Sequence, residues 1–238
     1  PNNNFMKNLL VLLLILSGVS LKAQEKSALE NHYKAFYKQM RTQGDINGII
    51  QALTHLNVIA PNTARRDTLA YIYSSNNQHM QALNLLGIER LGEDSDLAVQ
   101  VKAISLKAIE QPKRALEHFE ELAKRNPSAY LLYELSDLKI VTGDNSGAMV
   151  TIKEGQAMTK ADMKYAFYER QQPYEVALKS AFFHLEALVI YNTDKERIKE
   201  AIALIDRALV LSPNFNLASL SKQALESRLA VPEETPKD

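Results

Sequence analysis

Two serines stand three residues before a lysine, Ser136-Asp-Leu-Lys139 and Ser219-Leu-Ser-Lys222. One helical turn of that spacing can set an amine beside a hydroxyl, the arrangement by which a lysine activates a serine for acyl transfer. The Ser-Asp-Asn and Lys-Thr-Gly segments that complete such a site are absent, and two fixed letters in four recur by chance. His118 and Glu121, three apart on one helix, are the nearest approach to a metal pair; His32, His55, His79 and His184 have no second ligand at helical spacing, and there is no cysteine. No Gly-x-Ser-x-Gly elbow, phosphate loop or dinucleotide fingerprint occurs, and the carboxylates of "EHFEE" are spaced to wrap around an outward helix. The expectation is a protein without catalysis, metal or cofactor. A serine-dependent hydrolase using Ser136 and Lys139 is kept as an alternative.

The 238 residues are 46% apolar with 28 basic and 28 acidic side chains, which is enough for a sizeable core. Zero net charge and no basic run longer than two residues leave nothing to attract nucleic acid. Residues 6–24, "MKNLLVLLLILSGVSLKAQ", join a lysine to an apolar run and then to small residues, the layout of a secretory signal peptide. The run falls short of the roughly 20 apolar residues of a spanning helix, so cleavage after Ala23 is expected, with a retained anchor as the alternative because Leu21 is large for its position. Residues 1–5 are set aside as upstream sequence. An exported protein, periplasmic or secreted, with no stable membrane span after cleavage, is the expectation.

Beyond Gln24 helical spacing dominates and no strand-type alternation is seen: Leu97, Val101, Ile104 and Ala108 share one face, as do Ala115, Phe119, Leu122 and Ala123. Breakers separate such segments. A stride of 33 residues links Leu53, Leu86, Phe119 and Ile152; Ile49, Ala82, Ala115 and Ala148; Tyr37, Ala70, Ala103 and Ser136; and Pro61, Asp94, Pro127 and Lys160. Small residues at two of these positions allow two antiparallel helices to approach closely, and where one is large, Tyr37, so is its mate, Ile49. The units read as 30–61, 63–94, 96–127, 129–160 and, after an aromatic insert at 161–181, 176–213. A long helix from Pro173 to Tyr191 is expected within the last, then a terminal helix at 214–230 and a disordered tail at 231–238.

Units of this kind resemble tetratricopeptide (TPR) repeats. The fit is best in "EAIALIDRALVLSPNF", where Ala201, Ile205, Ala208 and Pro213 match the family's second helix, and Ala115, Phe119 and Pro127 sit at the same offsets. Arg66, Lys102, Lys139 and Gly155 depart from the pattern. Ankyrin shares the period but lacks its Thr-Pro-Leu-His opening here. The resemblance implies an all-α, right-handed superhelical solenoid of antiparallel helix pairs whose first helices line a groove for a protein or peptide partner. Groove positions carried over from the family fall at Lys34, Lys38 and Arg41, then Asp67 and Tyr71, then Gln100, Ile104 and Lys107, then Tyr133 and Asp137. A peptide with acidic and hydrophobic residues would suit them. The alternative is an envelope-structural protein that self-associates, as a homodimer for example, through the apolar segment 181–191.

Overall fold

The computed structural model describes residues 24–230; the leader, its cleavage point and the tail at 231–238 lie outside the described residues. Eleven α-helices and one β-hairpin make up this part of the chain. They are α1 (24–43), α2 (Ile46–Ile59), α3 (Thr63–Ser75), α4 (His79–Leu86), α5 (Asp96–Ala108), α6 (Pro112–Arg125), α7 (Ala129–Val141), α8 (Asn145–Met158), β1 (Lys164–Phe167), β2 (Tyr174–Ala177), α9 (Leu178–Thr193), α10 (Ile198–Leu211) and α11 (Asn216–Ala230). The chain forms two compact units that meet in sequence at Ser105 and Leu106.

The 33-residue stride is written into the backbone more deeply than into residue type. Gly44, Asn77, Glu110 and Gly143, one stride apart, close α1, α3, α5 and α7 with φ of 69°, 59°, 58° and 88°. After each, the next N–H donates to the carbonyl five residues back, Asp45 to Met40, Gln78 to Tyr73, Gln111 to Leu106 and Asp144 to Lys139, at 2.8 to 3.0 Å. This is the left-handed ending that glycine suits best, and Asn77 and Glu110 adopt it without being glycine. Where Gly-Asp recurs, the aspartate also caps the next helix: Asp45 accepts from Gly48 N–H at 2.9 Å and Asp144 from Gly147 N–H at 2.8 Å.

A second series at the same stride starts the first helix of each pair. Asn62, Ser95 and Ser128 accept the N–H three residues on, at 2.8, 3.1 and 3.2 Å. Caps of this type are worth about 1 kcal/mol each. One stride further stands Ala161, which has no oxygen to offer, and there the helices give way to the hairpin.

In the first unit Ala70 and Ala82 are fully buried in one cluster with Leu86, Ala98 and Val101, the close α3–α4 crossing expected. Tyr37 packs instead on Ile49, Leu53 and Leu69. Helix α4 is short because Gly87, at φ 78° and ψ 171°, takes a conformation open essentially to glycine alone. The loop that follows is tied down by Lys102, whose ammonium is fully buried and donates to Asp94 Oδ2 at 2.7 Å and to the Glu89 carbonyl at 2.8 Å. Asp94 also accepts the Leu91 N–H. The lysine that departs from the apolar repeat pattern is thus the clamp that the shortened helix needs.

In the second unit Ser136 and Ala148 are fully buried between α7 and α8, and α9 lies against α10, where Ser180 Oγ donates to the Ala208 carbonyl at 2.7 Å. Gly155, another departure, faces Phe182: a Cβ there would stand 2.2 Å from Phe182 Cζ and 2.6 Å from Cε1. Alanine ordinarily favours a helix over glycine by about 1 kcal/mol. Here Gly155→Ala is expected to destabilise the protein by about 1 to 3 kcal/mol net, because the fully buried ring cannot withdraw; a urea melt with an unchanged or higher midpoint would contradict this packing.

Two expectations for the insert are corrected. The chain does contain strands, pairing antiparallel from Lys164 with Ala177 to Phe167 with Tyr174. Helix α9 begins at Leu178 and not at Pro173, because Tyr174–Ala177 is spent on the hairpin. Each strand is four residues, too short for a period to show, and both are held by aromatic rings remote in sequence.

Candidate partner-binding surface

The positions carried over from the family fall in three columns at the stride of 33. In the middle column Lys38, Tyr71 and Ile104 stand on α1, α3 and α5 of the first unit, all exposed, with Tyr71 at 46% and Ile104 at 42%. Tyr71 and Ile104 are thus two large apolar side chains left open at equivalent repeat positions. Lys34 and Arg41 are exposed as well. Lys34 pairs with Glu30 at 2.7 Å, which holds the Glu30 carboxyl below its usual range through the hydrogen bond and the lysine's charge. The Arg41 guanidinium lies 5.7 Å from the centre of the Tyr37 ring, and Tyr37, Lys38, Arg41 and Thr42 line a shallow concavity. Gln100 is exposed on α5.

Asp67 does not join this surface. It is buried, and its carboxylate accepts from Arg66 Nη2 at 2.9 Å and from the hydroxyl of the capping residue Ser95 at 2.6 Å. Its work is to fix the start of α5 against α3, and Arg66, the other departure from the repeat pattern, is its counter-ion.

In the second unit the hairpin covers α7. Tyr133 is 5% exposed; its ring centre lies 4.4 Å from Tyr165, 6.4 Å from Phe167 and 5.6 Å from Phe182, with Phe167 packed in turn on Tyr174 and Phe215. Tyr133 is therefore not an open anchor. Beside it Lys107 Nζ reaches Glu134 Oε2 at 2.5 Å and Asp137 Oδ2 at 3.4 Å, and the Tyr165 hydroxyl donates to Glu134 Oε1. Burial opposes the Lys107 charge, but the two carboxylates outweigh it and raise its pKa. Burial pushes the Asp137 carboxyl up, Lys107 offsets part of this, and Glu134 adds to it. Burial and the same carboxylates push both Tyr133 and Tyr165 above the ordinary phenol. Glu134 had no role in the sequence reading, since it stands at no repeat position that marks the groove, and Tyr165 entered it only as a ring of the aromatic insert.

The Ser-x-x-Lys pairs do not form a reacting unit. Ser136 Oγ is buried and donates to the Leu132 carbonyl at 2.7 Å, while Lys139 faces Glu120 at 3.7 Å. Ser219 Oγ donates to the Phe215 carbonyl, and Lys222 pairs with Asp206 at 2.7 Å. Among the described residues no group of three metal-type ligands gathers, and no helix is long and apolar enough to cross a membrane. The segment 181–191 proposed for self-association is consumed within its own unit: Ala181 to Ala187, Val189 and Ile190 are all buried.

No protein-family model and no curated protein matches the sequence. Solved structures do. The chain is similar to YrrB, described as a TPR protein with an unusual peptide-binding site, at 13% identity and a TM-score of 0.65 over 87% of this chain and 97% of that one. It is also similar to MamA, at 14% identity and a TM-score of 0.57 over 86% and 97%. At such identities the likeness speaks for the fold: all-α and TPR-like, built from helix pairs.

Proposed function

We propose that the protein is a non-catalytic scaffold that holds a peptide or protein partner on the first helices of its first unit. The observation that carries this reading is the open column of Lys38, Tyr71 and Ile104, one residue per repeat, flanked by Lys34 and Arg41. A segment that offers acidic residues to the basic end and apolar ones to Tyr71 and Ile104 would fit by charge complementarity and aromatic anchoring. The peptide-binding site named for YrrB is in keeping with such a use of the fold, though fold alone does not set function. Export belongs to the proposal and rests on the layout of residues 6–23. The test is recovery of partners from an exported fraction by the mature chain and by a Tyr71→Ala/Ile104→Ala variant. The variant is expected to lose the specific partners while keeping its melting midpoint; equal recovery by both rules this surface out.

A further inference from the structure

Helices α9 and α10 of the second unit frame a basic and apolar groove of their own. Lys179 and Phe183 of α9 and Asp206, Arg207, Val210 and Leu211 of α10 line a concavity of about 370 Å³. We propose that this groove docks an acidic segment of another protein, with one large apolar side chain seated in the concavity and flanking carboxylates held by Lys179 and Arg207. The volume lies near the small end of the range for ligand sites, about 300 to 1,000 Å³, and so takes a side chain rather than a whole helix. The site goes beyond the scaffold surface above, since it belongs to the other unit and uses none of the column residues.

Charge selects the occupant. The Lys179 ammonium and the Arg207 guanidinium both lie over the Phe183 ring, 5.9 and 4.2 Å from its centre, and neither has a carboxylate partner among the described residues. An aromatic face answers a cation only in part and leaves its N–H groups free to donate. The one acid of the lining, Asp206, is already answered by Lys222 of α11 at 2.7 Å. Helix α6 shows what has changed. Aligning Ala115, Phe119 and Pro127 with Ala201, Ile205 and Pro213 sets Glu121 and Arg125 beside Arg207 and Leu211. Glu121 and Arg125 pair across one turn at 2.8 Å. In α10 the charge is reversed and every neighbour of Arg207 at three and four residues, Ala203, Leu204, Val210 and Leu211, is apolar, so its own helix offers no counter-ion. Val210 is 80% exposed and Leu211 48%, beside a Phe183 ring that is itself buried. A flat lipid surface would meet that rim and miss the recessed ring, whereas a peptide side chain meets both.

The test is titration of the isotopically labelled protein with acetyl-Glu-Phe-Glu-amide, followed by amide NMR shifts at low salt, with acetyl-Lys-Phe-Lys-amide and acetyl-Glu-Ala-Glu-amide as controls. The Glu-Phe-Glu peptide is expected to move amides around 179–183 and 206–211, and Lys-Phe-Lys to leave them in place. Loss of the ring in Glu-Ala-Glu should weaken binding by about tenfold. Arg207→Gln should weaken it by about threefold, the range of an exposed charge contact. Val210→Asp should weaken it by about tenfold as like charge enters the rim, and at so exposed a position it should leave the melting midpoint near that of the wild type. Movement of the same amides by Lys-Phe-Lys, no movement by Glu-Phe-Glu at about millimolar concentration, or wild-type affinity in both variants overturns the proposal. Shifts at these amides with phosphatidylglycerol vesicles and none with Glu-Phe-Glu would overturn it too, and assign the groove to an anionic membrane.

Discussion

Asp94→Ala is expected to cost the protein about 3 to 5 kcal/mol, the range for breaking a buried ion pair by removing one member. The loss comes from Lys102, whose ammonium is fully buried on α5 and, among the described residues, would keep the Glu89 carbonyl alone as a partner. The carboxylate does a second job in accepting the Leu91 N–H, so its removal also frees the loop between Gly87 and Ser95. Replacing both members, Asp94→Leu with Lys102→Met, should be milder, because no uncompensated charge then stays buried. Urea unfolding followed by circular dichroism checks both. A loss below about 1 kcal/mol for Asp94→Ala would mean that the clamp does not hold this part of the unit.

The second large effect is on pH. His184 on α9 is buried against Phe215, its ring centre 5.2 Å from that ring, with Nε2 at 2.8 Å from Ser221 Oγ of α11 and Nδ1 without a partner among the described residues. Burial lowers its pKa from 6.5 to about 4. Between these values the unfolded chain takes up a proton that the folded chain refuses, so stability is full above pH 6.5 and falls as the pH drops toward 4. The whole separation is worth about 3 kcal/mol. A His184→Gln variant has no such proton to gain and keeps an amide that can bond the Ser221 hydroxyl. Between neutral pH and about pH 4.5 the wild type should lose about 2 kcal/mol more than the variant. Parallel losses would show that the imidazole does not resist protonation.

Much of the fold was legible because the repeat is a local rule applied several times. Ala70 with Ala82 is a buried crossing, and the paired exception Tyr37 with Ile49 is packed together as its covariation implied. The recurrence of Gly-Asp at 44–45 and 143–144 also had a physical meaning, a left-handed ending followed by a cap. What escaped was held by partners far away in the chain. Strands of four residues carry no period, and Tyr133 is closed off by Tyr165 and Phe167, more than 30 positions later. Asp67 belonged to the carried-over groove, but its exposure is decided by Ser95, 28 residues on. Three apparent flaws in the repeat had reasons that only packing reveals: Arg66 neutralises Asp67, Lys102 clamps a loop, and Gly155 makes room for a ring.

The central claim is that the open column of Lys38, Tyr71 and Ile104 in the first unit meets the partner, and site-specific photocrosslinking reads this most directly. A photoreactive residue would replace Lys38, Tyr71 or Ile104 in turn, with Val58 of α2, 78% exposed and on the second helix of its pair, as the control position. In the exported fraction the three column positions should each give a discrete adduct of the same partner and Val58 none. Adducts from Val58 in place of the column, or equal labelling from all four, would contradict the account.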